Sequence, residues 1–181
     1  MNPDAQAVLQ FWFNELTPAQ WFKKDLEMDR IIVTRFAELY ARVAQCECYS
    51  WRETSHGRLA EIIVLDQFSR NMYRDNARAF GYDALALALA QEAVAAGADD
   101  ELSPAERSFL YMPYMHSESK AIHALALSLF DQPGLENNLD FEIRHKVIID
   151  RFGRYPHRNA VLGRASTDEE IAFLKQPGSS F

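Results

Sequence analysis

The sequence predicts an all-α fold, a single helical domain spanning residues 1–181, on three observations. Apolar residues recur at three- and four-residue steps over long stretches. Helix caps stand where those stretches begin, and no segment alternates cleanly enough for a β-strand. A chain of 181 residues, 48% hydrophobic and 25% charged, has ordinary globular composition. It is long enough to bury roughly 70% of its unfolded surface around one core.

Asn2 caps a first helix with Pro3 in its opening turn, and Val8, Leu9, Phe11 and Trp12 supply its apolar side. Thr17-Pro18 repeats that grammar ahead of a short turn holding Trp21 and Phe22. From Asp25 to Gln45, the residues Met28, Ile31, Ile32, Phe36, Leu39, Tyr40 and Val43 share one helix face. His56 to Phe68 forms the next helix, with Leu59, Ile62, Ile63 and Leu65 apolar. The stretch Asp83 to Ala96 is rich in Ala and Leu, strong helix formers, and Gly97 suits its C-terminal cap. Ser103-Pro104-Ala105-Glu106 spells a capping box, and the helix it opens is expected to stop near Pro113. Ser117 to Phe130 follows, closed by Pro133-Gly134. A long helix from Asn138 to Phe152 ends at Gly153, and Thr167 with Glu170 caps a last one, stopped by Pro177-Gly178. Short loops between helices predict antiparallel neighbours, a bundle or an array of helix pairs. No linker divides the chain, and no clean period of about 34 residues marks a solenoid.

Several function classes are excluded. No apolar run approaches the ~20 residues that cross a bilayer, and no basic amphipathic helix would lie on one. Met1-Asn2-Pro3-Asp4 has neither the basic start nor the apolar core of a signal peptide, so a cytoplasmic location is expected. Cys46 and Cys48 read as reduced thiols at a helix end, since a structural zinc site needs four ligands and no further Cys or His lies nearby. A net charge of −7 argues against nucleic acid, where phosphate neutralisation supplies most of the affinity. The seven glycines are isolated, so neither a phosphate-cradling loop nor a dinucleotide fingerprint can be written. A serine-hydrolase elbow and a zinc-binding H-E-x-x-H are also missing. No cofactor is expected.

Three segments carry unusual polar density. Asp66-Gln67-Phe68-Ser69-Arg70-Asn71-Met72-Tyr73-Arg74 closes an apolar helix and places Asp66, Arg70 and Arg74 on one face while the helix continues. Pro113-Tyr114-Met115-His116-Ser117-Glu118 lies at a turn between helices. Arg151-Phe152-Gly153-Arg154-Tyr155-Pro156-His157-Arg158-Asn159 forms a stiff loop, with His145 up to two turns back on the preceding helix.

With the early aromatic run Phe11-Trp12-Phe13, Trp21-Phe22-Lys23-Lys24-Asp25, Arg78-Ala79-Phe80 and Leu162-Gly163-Arg164, these segments span nearly the whole chain. Together they resemble the bacterial domain-of-unknown-function family numbered 924, of the tetratricopeptide-like helical superfamily. Ser69 stands where that family's pattern usually has proline, and Cys46-Glu47-Cys48 where a glycine-containing turn is usual. The resemblance implies a tetratricopeptide-like array of antiparallel helix pairs around a groove. It implies no established activity.

Convergence of Arg70, Arg74, Arg154 and Arg158 would need neutralisation. Two guanidiniums ~7 Å apart at an effective dielectric of ~20 repel by about 2 kcal/mol. Several such pairs weigh heavily against a net stability of roughly 5–15 kcal/mol. Asp66, Glu118 and Asp150 are the candidate internal carboxylates. On one reading these acids pair with the arginines and merely tie helix ends together, leaving a helical protein-interaction module whose partner is another protein. On the other, an anionic small molecule bearing phosphate or carboxylate is bound by Asp66, Arg70, Asn71, Arg74, His145, Arg151, Arg154, Arg158 and Asn159. His116, Glu118 and His157 would then serve as acid or base. A metal on His116, Glu118 and His145 is disfavoured by the surrounding arginine. His56 and His123 read as ordinary surface or core residues, and Trp12, Trp21 and Trp51 as core packing.

Overall fold

Asn2 Oδ1 accepts the amide of Asp4 at 2.9 Å, and with Pro3 in the first turn this opens helix α1 (Pro3–Gln10). A computed structural model describes residues 1–181, all helix, turn and loop, with no β-strand. After α1, a π-helical turn at Phe11–Glu15 leads to the short α2 (Pro18–Trp21). Asp25 then caps the long α3 (Leu26–Ala44), accepting the amides of Glu27 and Met28. Helix α4 (Ser55–Ile63) passes through a second π turn, Val64–Phe68, into α5 (Ser69–Met72). The remaining helices are α6 (Asp83–Ala95), α7 (Pro104–Met115), α8 (Lys120–Phe130), α9 (Glu136–Phe152) and α10 (Asp168–Phe173). Both expected capping boxes form, Ser103 with Glu106 and Thr167 with Glu170. Gly153 adopts φ +69°, the left-handed cap that ends α9 and turns the chain into the loop that follows.

Helix α4 is the central element, packed against α1, α6 and α7, while α7, α8 and α9 lie against one another in sequence. Every residue from Leu59 to Ser69 is buried. Aromatic rings fill the space around it: Phe68 lies 4.8 Å from Phe36, and Trp12 meets Phe109 edge-on at 5.5 Å. A separate small apolar cluster of Ile148, Ile149 and Tyr155, with Phe152 and Phe173 against it, anchors the C-terminal loop. No helix is long and apolar enough to cross a membrane.

Some boundaries differ from the sequence reading. α7 runs through Pro113 to Met115. Proline there removes one hydrogen bond of the last turn, and the unbroken burial of Ser108 to Met115 outweighs that loss. The helix opening near His56 likewise continues beyond Phe68 to Met72 by way of its π turn. Cys46 is exposed at φ +60° and Cys48 buried, and both thiols are free. Trp12 and Trp51 are core residues, whereas Trp21 is half-exposed.

Gly57, in the first turn of α4, shows how tightly the preceding turn is drawn in. A Cβ at this position would stand 2.0 Å from the Trp51 carbonyl oxygen. Alanine normally stabilises a helix over glycine by about 1 kcal/mol. Here Gly57→Ala is expected to destabilise by about 3 kcal/mol, a cost of overpacking, read as a lowered urea midpoint. A neutral or stabilising result would refute the close approach.

Candidate functional site

The π turn at Val64–Phe68 inserts an extra residue where α4 meets α5, and Asp66 sits at its middle with no exposed surface. Four donors surround its carboxylate and backbone, one of them Ser69 Oγ, which reaches the Asp66 carbonyl at 3.1 Å. The Nδ1–H of His116, at the C-terminal end of α7, donates to Oδ1 at 2.7 Å, and Gln67 Nε2 donates to Oδ2 at 2.6 Å. Arg70, one turn on, donates from Nη1 to the Asp66 carbonyl at 2.7 Å and stands 3.2 Å from Oδ1. Burial alone would raise the Asp66 pKa, but Arg70 and His116 pull it well below the carboxylate range. His116 is held neutral, because burial and the Arg70 charge outweigh the attraction of Asp66. A neutral imidazole whose Nδ1 carries the proton for an ionised carboxylate has a basic lone pair on Nε2.

Arg70 also reaches α6. Its guanidinium clasps Asp83 through two hydrogen bonds of 2.9 and 3.0 Å. Asp83 in turn meets Arg158 from the C-terminal loop at 3.4 Å. The result is an alternating relay, His116–Asp66–Arg70–Asp83–Arg158, drawn from α7, the π turn, α5, α6 and the turn Pro156–Arg158.

Arg158 is the least compensated member. It is 7% exposed, its guanidinium lies 4.6 Å from the rings of both Phe80 and Tyr155, and its Nε has no partner. Burial and the neighbouring Arg70 weaken its hold on its proton. Next to it in sequence, His157 Nδ1 is also buried without a partner. The loop that carries both is fixed through Tyr155, whose hydroxyl donates to the Met115 carbonyl at 2.6 Å and whose amide donates to Glu118 at 2.7 Å.

Glu118 is clasped by Arg164 through bonds of 2.6 and 2.9 Å, which hold its pKa down against burial. Behind Tyr155, His123 Nδ1 meets Glu142 at 2.6 Å, with both side chains fully buried. Burial pushes the Glu142 carboxyl up, and His123 Nε2 lies 2.8 Å from the Ser117 carbonyl. His145 stacks on Phe181 at 3.7 Å and lies edge-on to Tyr155.

The four arginines of the sequence reading do not converge as a set. Arg70 and Arg158 share Asp83. Arg74 instead forks onto Asp29 of α3 at 2.7 and 2.8 Å, and Asn71 donates to the same carboxylate. Arg154 forks onto Glu170, whose pKa it holds at about 2, and Arg151 pairs with Glu169. Asn159 bonds Ser166 and Arg164, and Asp150 pairs with Lys146. His116, Glu118 and His145 form no metal-binding group. Asp83, Arg164 and Glu142 belong to the network without having been singled out. Asp83 reads in sequence as a first-turn helix charge, and Arg164 is visible only as part of a motif.

Comparison with other proteins brings no activity. Residues 8–178 match the model of a family described as bacterial protein of unknown function, DUF924. A solved structure of a protein of unknown function from Agrobacterium tumefaciens, ATU0120, is similar at 36% identity and a TM-score of 0.90. That similarity covers 94% of this chain and 96% of the other. No curated protein matches.

The histidines make the network sensitive to acid. Burial lowers His145 to about 3 and His157 to about 4, against 6.5 for an unperturbed imidazole. Their stabilisation is complete above pH 6.5 and is lost as the pH falls through that window, because the unfolded chain takes up the protons first. Each contributes a slope of up to about 1.4 kcal/mol per pH unit. Urea unfolding between pH 6.5 and 4.5 should show this fall, and His145→Phe should flatten it by about that amount. An unchanged slope would contradict the burial of a neutral imidazole.

Proposed function

Given that the chain belongs to the bacterial family of unknown function DUF924, we propose that it binds a small carboxylate- or phosphate-bearing molecule beside Arg158, with His116 available as a base. The observation that carries this reading is the state of Arg158, a buried guanidinium with one ion contact at 3.4 Å and an Nε that bonds nothing. A buried charge with unmatched donors is costly, and an anion accepting from Arg158 and from His157 would supply what the chain leaves out. Guanidinium geometry favours planar or multi-oxygen anions. His116 adds chemistry to binding. Asp66 fixes its tautomer and orientation, as carboxylates do for catalytic imidazoles. Glu118, ionised and held by Arg164 and the Tyr155 amide, orients the loop and is spent on that role. The free thiols Cys46 and Cys48 accord with a cytoplasmic setting.

A second reading, a tetratricopeptide-like module that docks a protein partner and uses its polar motifs only as struts, is favoured by a different observation. Arg74, Arg154 and Arg164 are each fully matched by an internal carboxylate.

Thermal unfolding with inorganic phosphate and with citrate separates the two. A ligand of the folded state at about 100 times its Kd adds about 2.7 kcal/mol, a rise of several degrees in Tm. That rise is expected in the native protein and in Arg154→Gln, and lost in Arg158→Gln, each measured against its own ligand-free Tm. Absence of any rise, or its persistence in Arg158→Gln, would refute the anion site.

A further inference from the structure

A concavity of 550 Å³ opens between α3 and the turn Ala77–Phe80, apart from the relay. Its size is that of a small-ligand pocket. Ala37 and Ala41, one turn apart on α3, keep its floor low, and Tyr40, Tyr73 and Tyr82 stand around it. The Tyr40 ring lies 5.5 Å from Tyr73 and 6.1 Å from Tyr82, inclined at 59° and 78°, so the three rings frame the space and do not close it by stacking. Tyr40 is only 5% exposed, and its hydroxyl bonds no other group of the chain and is not sealed in the interior.

Arg78 supplies the charge. Its guanidinium lies 3.9 Å from the Tyr73 ring and donates from Nη2 to the Tyr73 hydroxyl at 2.8 Å. Arg78 makes no ion pair; Asp83, close enough to act on Tyr40, is committed to Arg70, and Asp75 pairs with Lys24. In a chain of net charge −7, an arginine with no acid partner at an aromatic-walled groove is a place prepared for an anion from outside. Arg78 belongs to the segment Arg78-Ala79-Phe80, which the relay uses only through the ring of Phe80.

We propose that this groove binds a small aromatic carboxylate, its ring framed by the three tyrosines and its oxygens shared between Arg78 and the Tyr40 hydroxyl. Nη2 of Arg78 keeps a second N–H, which with the adjacent Nε–H or Nη1–H makes a fork for a two-oxygen group. A second cation, which a phosphate dianion would call for, does not line the groove. Burial, with the nearby Tyr73 and Tyr82, pushes the Tyr40 phenol up to about 12, so it remains a donor at neutral pH. Aromatic rings meeting at angles supply contact that a saturated ring cannot reproduce.

Titration calorimetry with benzoate tests this, with cyclohexanecarboxylate as the charged, non-aromatic control. Benzoate is expected to bind with a Kd of about 1 mM or tighter, and the control about tenfold more weakly. Arg78→Gln, at an exposed position, should weaken benzoate by about tenfold or more, the loss expected for a charge-assisted hydrogen bond. Tyr40→Phe, which keeps the ring, should weaken it by about threefold. No binding at about 10 mM, equal affinity for the control, or native affinity in Arg78→Gln or Tyr40→Phe would overturn the assignment.

Discussion

A carboxylate taken wholly out of water, as Asp66 is, costs several kcal/mol unless its oxygens are filled and its charge met. In this fold the filling comes from three places: Gln67 beside it, Arg70 one turn on, and His116 from the end of α7. The requirement therefore reaches beyond Asp66. It sets where α7 must end, since His116 Nδ1 has to arrive at 2.7 Å, and it fixes Arg70 in a position from which α6 is reached through Asp83. The compensation that makes one buried charge tolerable is also what brings the chain's distant polar segments together.

The backbone contributes a second constraint. Without the π turn, α4 would run straight into α5 with a regular phase, and Asp66 would not lie at an inserted residue. Such turns trade regular hydrogen bonding for a displaced side chain. Here the displaced side chain is the one on which the polar network is built. A similar economy holds in the C-terminal loop, where Gly153 releases the chain from α9 and the Tyr155 amide and hydroxyl are both taken up by the α7–α8 turn and the α7 terminus.

Much of the fold was legible because it is written locally. Ser103 with Glu106, Thr167 with Glu170, and Asn2 ahead of Pro3 mark helix starts by their own hydrogen bonds, and these bonds are present. Pro113 misled, because its local preference was outweighed by the buried packing around it. The site was half legible. Asp66 and Arg70 are neighbours by helical spacing and remain so. Arg74, two turns on from Asp66 by the same count, departs because α5 ends at Met72 and the side chain turns to Asp29 instead. Nothing in the local sequence marks a π turn, and nothing marks Asp83 as the carboxylate between two arginines. Both are settled by how the helices lie on one another.

The position of Asp83 bears on how this protein can change over time. One carboxylate serves Arg70 and Arg158 together, so replacing it leaves Arg158 without an ion contact and Arg70 with Asp66 alone, and replacing either cation alters what the other experiences. Energies at these three positions are then not separable. Lineages that depart from this trio must do so through concerted exchanges, and hybrid chains that mix two such solutions would inherit the mismatch.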